Sequence, residues 1–476
     1  MKAAIQITLE TEVGQQVQEI ASWERNEHRL EDIGLTLAES KSMLAAVQKI
    51  LVQQQVAEYL EAGRSCPRCV KPRGQNGSHS VTLQTLFGNI EIDSPRWIHC
   101  PCQPNPAKSF SPVAELLSER VSPERLYLEI KWGSLISFEL TADLLKDTLP
   151  VAESVNAASV RNHLHGVAER AEAALGSEQV SFIDGCPAEW AALPRPPAPL
   201  TVGIDGCYVR QWDDKKTHFE LIVGKSMSED GPSRCFGYTQ TYDEKPKRRL
   251  FELLRSQGMQ MNQRVMFFSD GGADIREVQS YLNPEGEQYL DWFHITMRIT
   301  VLGQYAKGLD TAPDKREEVL KMLESTKHYL WHGNVVRAQE KVQDLHCYLD
   351  NEEIEGDNGR KMRKGLDEFD TYIAANQARI PNYGERWRNE EAIATGFVES
   401  AVNQIVSKRF AKRQQMQWTK KGAHLLLQTR TWVLDKRLEE TFLKWYPGFR
   451  PVQTCTREEG RLITRIFMLS GFKWSR

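Results

Sequence analysis

Apolar positions change period several times along the chain, and each change marks an element. Over residues 39–62, Leu44, Val47, Leu51 and Val56 fall near one stripe among helix-favouring residues, and Gly63 follows as a stop. Residues 1–38 carry weaker helical signals. From 64 to about 105 the period shortens: residues 81–85 and 90–92 read as strands turned at Gly88-Asn89. Residues 106–178 return to helix, with one helix over 138–145, a break at Pro150, and another over 156–170. Pro194, Pro196, Pro197 and Pro199 then mark a boundary.

Beyond it, strands and helices alternate. Residues 200–205 and 219–223 read as strands. Residues 248–257 form a helix with Leu250, Leu253 and Leu254 inward, ended by Gly258. A fully apolar strand over 265–268, a short helix over 275–282 and a strand over 289–293 follow. This alternation predicts an α/β sheet covered on both faces. Residues 300–394 lose the strand signals and read as helical, with Leu302, Leu320, Leu323, Leu330 and Trp331 inward. An amphipathic helix starts at Gly396 and runs to about residue 414. The plan is a multidomain α/β chain with helical parts: a helical region (1–62), a cysteine module (63–105), a helical region (106–178), a linker (179–199), a sheet domain (200–300), an all-helical insertion (301–394), the return to the sheet domain (395–435) and a C-terminal region (436–476).

A length of 476 residues predicts two to four domains. No run approaches the roughly 18 apolar residues of a membrane span. The N-terminus lacks the apolar stretch of a signal peptide, so a cytoplasmic protein is expected. Net charge is −3, so any nucleic-acid contact must come from local charge. Nine cysteines, an odd number, argue against a disulfide scaffold.

Three carboxylates sit at the edges of apolar runs: Asp205 in Gly203-Ile204-Asp205-Gly206, Asp270 in Phe268-Ser269-Asp270-Gly271-Gly272, and Glu399 in Gly396-Phe397-Val398-Glu399-Ser400. The first two end buried strands, where sites form in open α/β sheets. Glu399 borders a buried stripe of Val398, Ala401, Val402 and Ile405 in a helix's first turn. Hard oxygen ligands of this kind suit magnesium or manganese, and two such ions roughly 4 Å apart can drive phosphodiester displacement. Asp270 follows Asp205 by 65 residues, and Glu399 follows Asp270 by 129.

On these residues, 200–300 and 395–432 resemble the RNase H-like core of DDE transposases of bacterial insertion sequences, especially the ISKra-type, Mutator-related group. Asp205, Asp270 and Glu399 match that family's triad. Asp291-Trp292-Phe293-His294 resembles its (Cys/Asp)-x-x-His signature. The resemblance implies an RNase H-like core interrupted by the helical insertion, and two Mg²⁺ (or Mn²⁺) ions at the triad. It also implies a homodimer or higher oligomer on paired DNA ends. Asp291 and His294 would support the metals by hydrogen bonding, contact DNA beside the cut bond, or only close a strand–helix corner.

The remaining signals concern DNA and zinc. Cys66-Pro67-Arg68-Cys69 and Cys100-Pro101-Cys102 bracket the 81–92 hairpin, and four thiolates suit a structural Zn²⁺ in a zinc-ribbon-like module. The second pair is tightly spaced, so His99 is an alternative ligand. Residues 137–170 resemble a helix-turn-helix whose second helix offers Arg161, Asn162 and His163 to a groove; a plain helical hairpin is the other reading. A basic track follows the Glu399 helix: Lys408, Arg409, Lys412, Arg413, Lys420 and Lys421, with Trp418 among them and Arg430 at its end. The leading expectation is a transposase that binds double-stranded DNA at element ends, cuts it and joins the 3′-OH ends to target DNA. The alternatives are a non-enzymatic DNA-binding regulator and an RNase H-like nuclease. No membrane partner is expected.

Overall fold

The computed structural model describes residues 1–450 except 12–13, 26–28, 103–108, 180–181, 184, 215, 229–230, 284–285, 395 and 412–416. Two compact units result, residues 1–164 with 436 onward, and residues 165–435.

The first unit opens on a hairpin, β1 (Lys2–Thr11) and β2 (Gly14–Glu24). This corrects the helical expectation for residues 1–38. Ile5, Ile7 and Leu9 alternate with polar residues at the strand period, which outweighs the local helix formers. Helix α1 (Leu37–Gly63) follows, its start closed by a Thr36/Glu39 capping box. Its buried side is Val52 and Val56, whereas Leu44 and Leu51 are exposed, so the inward stripe differs from the expected one.

Strands β3 (Gln75–Thr85), β4 (Gly88–Ile98) and β5 (Ser109–Phe110) form an antiparallel sheet. Val52, Val56, Val81, Ile90, Ile92 and Val113 make its small core. Helices α2 (Pro112–Leu116), α3 (Pro123–Leu135), α4 (Phe138–Thr148) and α5 (Ala157–Leu175) come next. The helix Leu438–Trp445 packs on α3.

In the second unit, α6 (Pro187–Ala191) precedes β6 (Leu200–Gln211), β7 (His218–Met227) and β8 (Arg234–Thr239). Helix α7 (Pro246–Ser256), β9 (Val265–Ser269), α8 (Ala273–Leu282) and β10 (Glu287–Leu290) complete the alternation. The strand path is β10-β9-β6-β7-β8. β9 and β10 run parallel to the central β6, and β7 and β8 alternate antiparallel on its other side. Leu200, Val202, Ile204 and Phe267 pack on Leu250, Leu254, Ile275 and Leu282 of α7 and α8.

After β10 the chain enters a helical insertion with its own core: α9 (Trp292–Lys307), α10 (Pro313–Trp331), α11 (Val335–Asn351), α12 (Gly356–Ala375) and α13 (Tyr383–Arg388). Strand β10 ends at Leu290, short of the expected 293, because Asp291 caps α9. The chain then returns through α14 (Gly396–Val402), which packs across β6 and β7. It continues as a π-helix over Asn403–Ala411, where an α-helix was expected. Short β11 (Gln417–Trp418) pairs with β6, and α15 (Lys420–Leu434) packs on β8.

Candidate functional site

The parallel pairing of β6 with β9 sets the geometry of the acidic site. Leu200 pairs with Val265, and the register runs unbroken to Gly203 opposite Phe268. Extended two positions, it sets Asp205 beside Asp270. The β9–β10 register ends with Leu290 opposite Ser269, so its next position sets Asp291 beside Asp270. Asp205 within β6, and Asp270 and Asp291 just past the ends of β9 and β10, therefore make an acidic row at this end of the sheet.

Each member of the row has a distinct environment. Burial pushes the Asp205 carboxyl above its ordinary value; His294 draws it down and the charge of Asp270 pushes it up again. His294 Nε2 lies 3.9 Å from Asp205 Oδ1. Asp270 accepts the Gly272 N–H at 3.0 Å, folding the glycine turn back on itself. Gly271 sits at φ +89°, against the Asn376 amide, where a side chain would collide. Asp291 is fully buried, and its carboxylate accepts the Phe293 N–H at 2.9 Å as the cap of α9. Its own N–H donates to Ser269 O at 3.0 Å, and the Tyr383 hydroxyl donates to Leu290 O at 2.7 Å. Asp291 thus acts on the corner that aims His294 at Asp205.

Glu399 is exposed in the first turn of α14. Its helix lies across the strand that carries Asp205, yet Asp205, Asp270 and Glu399 do not all fall within 4.8 Å of one another. A two-ion site spreads its ligands over two centres roughly 4 Å apart, so it does not demand a single tight cluster.

Two groups of side chains among the described residues are that tight. One is Cys66, Cys69, Cys100 and Cys102, with Sγ–Sγ distances of 3.5 Å for Cys66–Cys102 and 3.3 Å for Cys69–Cys100. Four sulfurs at tetrahedral zinc bonds of about 2.3 Å sit close to these separations, so this cluster can hold a metal ion. Backbone N–H groups of Cys69 and Arg68 point at the Cys66 sulfur and pull its thiol down to about 6. Neighbouring sulfurs push Cys102 up to about 12. His99 stacks on Phe110, ring centroids 4.6 Å apart, and takes no place in the group.

The second group is Glu172, Asp243 and His424, which sequence reasoning missed because its members are scattered over three elements. Arg249 already fills it, donating to Asp243 Oδ2 at 2.8 Å and to Glu172 Oε1 at 2.8 Å. Burial pushes the Glu172 carboxyl up, but hydrogen bonds from His424 and Arg249 outweigh it and hold it at about 2. The cluster is an ion-pair clasp among α5, α7 and α15.

The DNA-binding expectations divide. Arg161 and Asn162 are exposed on α5. His163 instead bonds Glu129, a fully buried carboxylate also held by Arg125 at 2.9 Å. The α4–α5 connection spans 149–156, longer than the three- or four-residue turn of a helix-turn-helix. In the basic track, Lys408 and Lys421 are exposed and Lys420 is half-buried. Lys421 pairs with Glu169 at 2.7 Å. Arg409 and Trp418 are buried, which removes them from any groove: the Trp418 indole donates to Phe410 O at 3.1 Å, and Arg409 lies over its ring. Arg430 is buried too, donating to Ile405 O at 2.6 Å. Lys412 and Arg413 lie outside the described residues.

Among the described residues no helix is long and apolar enough to cross a membrane. No family model and no curated protein matches the chain. Among solved structures it is similar to one titled Drosophila P element transposase strand transfer complex. The identity is 11%, over 69% of this chain and 81% of that one, with a TM-score of 0.23. The neighbour is a transposase, and the likeness is slight. At that score it carries no weight for fold or function, which leaves the aspartate row as the functional signal.

Proposed function

We propose that residues 200–300 and 395–435 form an RNase H-like core of a DNA transposase, with Asp205, Asp270 and Glu399 as its metal-binding triad. The observation that supports this reading is that Asp205 lies in β6 two residues past its pairing with β9, Asp270 lies one residue past the end of β9 and its charge is felt at Asp205, and the Glu399 helix packs across β6. The raised Asp205 carboxyl fits a cation site, since two neighbouring half-buried carboxylates repel until a cation joins them. Bound Mg²⁺ or Mn²⁺ would supply the activated oxygen nucleophile and stabilise the leaving oxygen.

The protein's own part is placement. Asp205 and Asp270 hold their charges at the end of the sheet, opposite the scissile phosphate. Asp291 caps α9, so that His294 stays beside Asp205 and draws its carboxyl down against the effect of burial. Glu399 closes the third side. Water attack would nick the strand, and the freed 3′-OH would repeat the displacement on a target strand. The four-cysteine module, holding zinc, and the exposed Arg161 and Asn162 would bind element ends, and Lys408, Lys420 and Lys421 would meet phosphates. Paired ends imply at least two copies of the chain.

The test is strand transfer with labelled element ends. Asp205→Asn, Asp270→Asn and Glu399→Gln each abolish Mg²⁺-dependent joining, by at least about a thousandfold given the charge each removes from the transition state, while end binding persists. Full joining by any of the three sinks the triad. Cutting without joining in the wild type favours a nuclease, and DNA binding with neither activity favours a regulator.

A further inference from the structure

Helix α9 continues away from the acidic site with one face unlike the rest of the insertion. After the Asp291 cap it has no acidic residue from Trp292 to Lys307. His294 stands beside Asp205, and Arg298, Val301 and Tyr305 follow at helical spacing along the same side, spanning about 16 Å at 1.5 Å per residue. Helix α12 lies alongside and contributes Phe369, Gly365, Lys364 and Lys361. Between the two helices runs a crevice of about 420 Å³. Arg298 in its lining stands one helical turn beyond His294. The Arg298 guanidinium lies 4.0 Å over the Tyr372 ring, and the charges of Asp270 and Asp291 reach the Tyr372 hydroxyl.

The lining has two chemistries. Met297, Val301 and Tyr305 form an apolar floor, with Met297 45% and Val301 38% exposed. Gly365 keeps the helices close, since a Cβ there would stand 2.9 Å from the Leu302 side chain. Arg298, Lys361 and Lys364 form a basic rim, all exposed. Lys361 pairs with Asp357 at 2.7 Å and Lys364 with Glu368, the acid of the lining, at 3.7 Å. Exposed pairs on one helix are weak, so a phosphate can displace them. Bases laid on an apolar and aromatic floor beside cations are the contacts of an unpaired nucleic-acid strand. A crevice between two touching helices has no room for a duplex.

We propose that the α9–α12 groove holds a single DNA strand leaving the acidic site, its phosphates on Arg298, Lys361 and Lys364 and its bases on Met297, Val301 and Tyr305. The strand's identity as DNA rests on the transposase reading above; the groove's preference for an unpaired strand is separately measurable.

The experiment is fluorescence anisotropy on the full chain, without added magnesium, comparing a blunt duplex with one bearing an oligo-dT extension about 12 nucleotides long, within the usual range of such grooves. The wild type binds the extended duplex more tightly. The double variant Lys361→Ala/Lys364→Ala loses that gain, about tenfold, and its log–log salt slope falls by about 1.4, at roughly 0.7 per phosphate contact on a single strand. Tyr305→Ala weakens the extended duplex with no change in slope. Blunt-duplex binding stays the same in all three, which also shows that the variants fold. Equal affinity for both duplexes in the wild type, or an undiminished gain in the lysine variant, overturns the proposal. Asp270→Asn separates the two readings: it keeps the extension preference while losing any cutting. A wild type that shows the preference but never cuts leaves the groove standing and removes the catalytic assignment.

Discussion

Asp205 carries a conflict that a cation would resolve. Its native carboxyl is raised by burial and by Asp270, against the pull of His294. For an acid, a raised folded value means that the native state holds the proton more tightly than the unfolded chain. The ionised form therefore costs stability above the folded value; the cost fades as pH falls from there and is gone below the ordinary carboxylate value of 3.8. Asp205→Asn should then melt at a higher temperature than the wild type at pH 7 without divalent ions. The gap should close on acidification and reverse when Mg²⁺ is added, because only the wild type gains ligand binding. Calorimetry across pH reads this directly; a variant less stable than the wild type at pH 7 contradicts the account of a strained site. The carboxylates were legible as residue types at strand ends. Their adjacency was not, because the 65-residue spacing acquires meaning only once β6 and β9 pair with the same offset.

At the scale of elements, the sequence and structure part where a charged residue turns inward. A run of seven Lys and Arg over residues 401–430 reads as a phosphate track by composition alone. Two of these, Arg409 and Arg430, are interior instead. The π-helix over Asn403–Ala411 explains Arg430. Arg430 donates from a distant helix to the Gln404 and Ile405 carbonyls of that π-helix, ties that would hold its wider turn. Burial alone draws its guanidinium down to about 10, which marks a desolvated cation held by carbonyls. Arg430→Met should cost about 2–4 kcal/mol by orphaning those acceptors, whereas Lys408→Ala, on the exposed side, should change stability by no more than about 0.5 kcal/mol. Urea unfolding distinguishes them, and equal small effects would show that the π-helix does not depend on Arg430. The long alternating and helical stretches were readable because period survives without tertiary context. Strand β8 and the π-helix were not, being set by strand pairing and by a side chain from a distant helix, and in the sequence alone the alternation of β1 was outweighed by nearby helix formers.

On the scale of the whole chain, the two candidate metal-ligand sets fall in different units. The four cysteines lie in the first unit, and the aspartate row lies in the second. Sulfur ligands closing a tetrahedron hold zinc as part of the fold, whereas carboxylates hold magnesium weakly and exchange it with water. A net charge of −3 adds no long-range pull toward DNA, so under the proposed function end recognition would come from local contacts that depend on a folded first unit. The two metals should therefore separate recognition from chemistry. Withholding magnesium while zinc is retained should stop cutting and leave specific end binding within about twofold, since the carboxylates contribute no affinity on their own. Cys66→Ser should do the reverse. It should release the zinc, measured by metal analysis of the purified chain, and abolish preference for element ends over random duplex. Any magnesium-dependent nicking of non-specific DNA, which would draw on Asp205, Asp270 and Glu399 and not on the cysteines, should survive. If Cys66→Ser keeps end preference, the cysteine module does not recognise DNA. If magnesium withdrawal abolishes binding as well, the acidic site belongs to recognition, and the division of labour between the units fails.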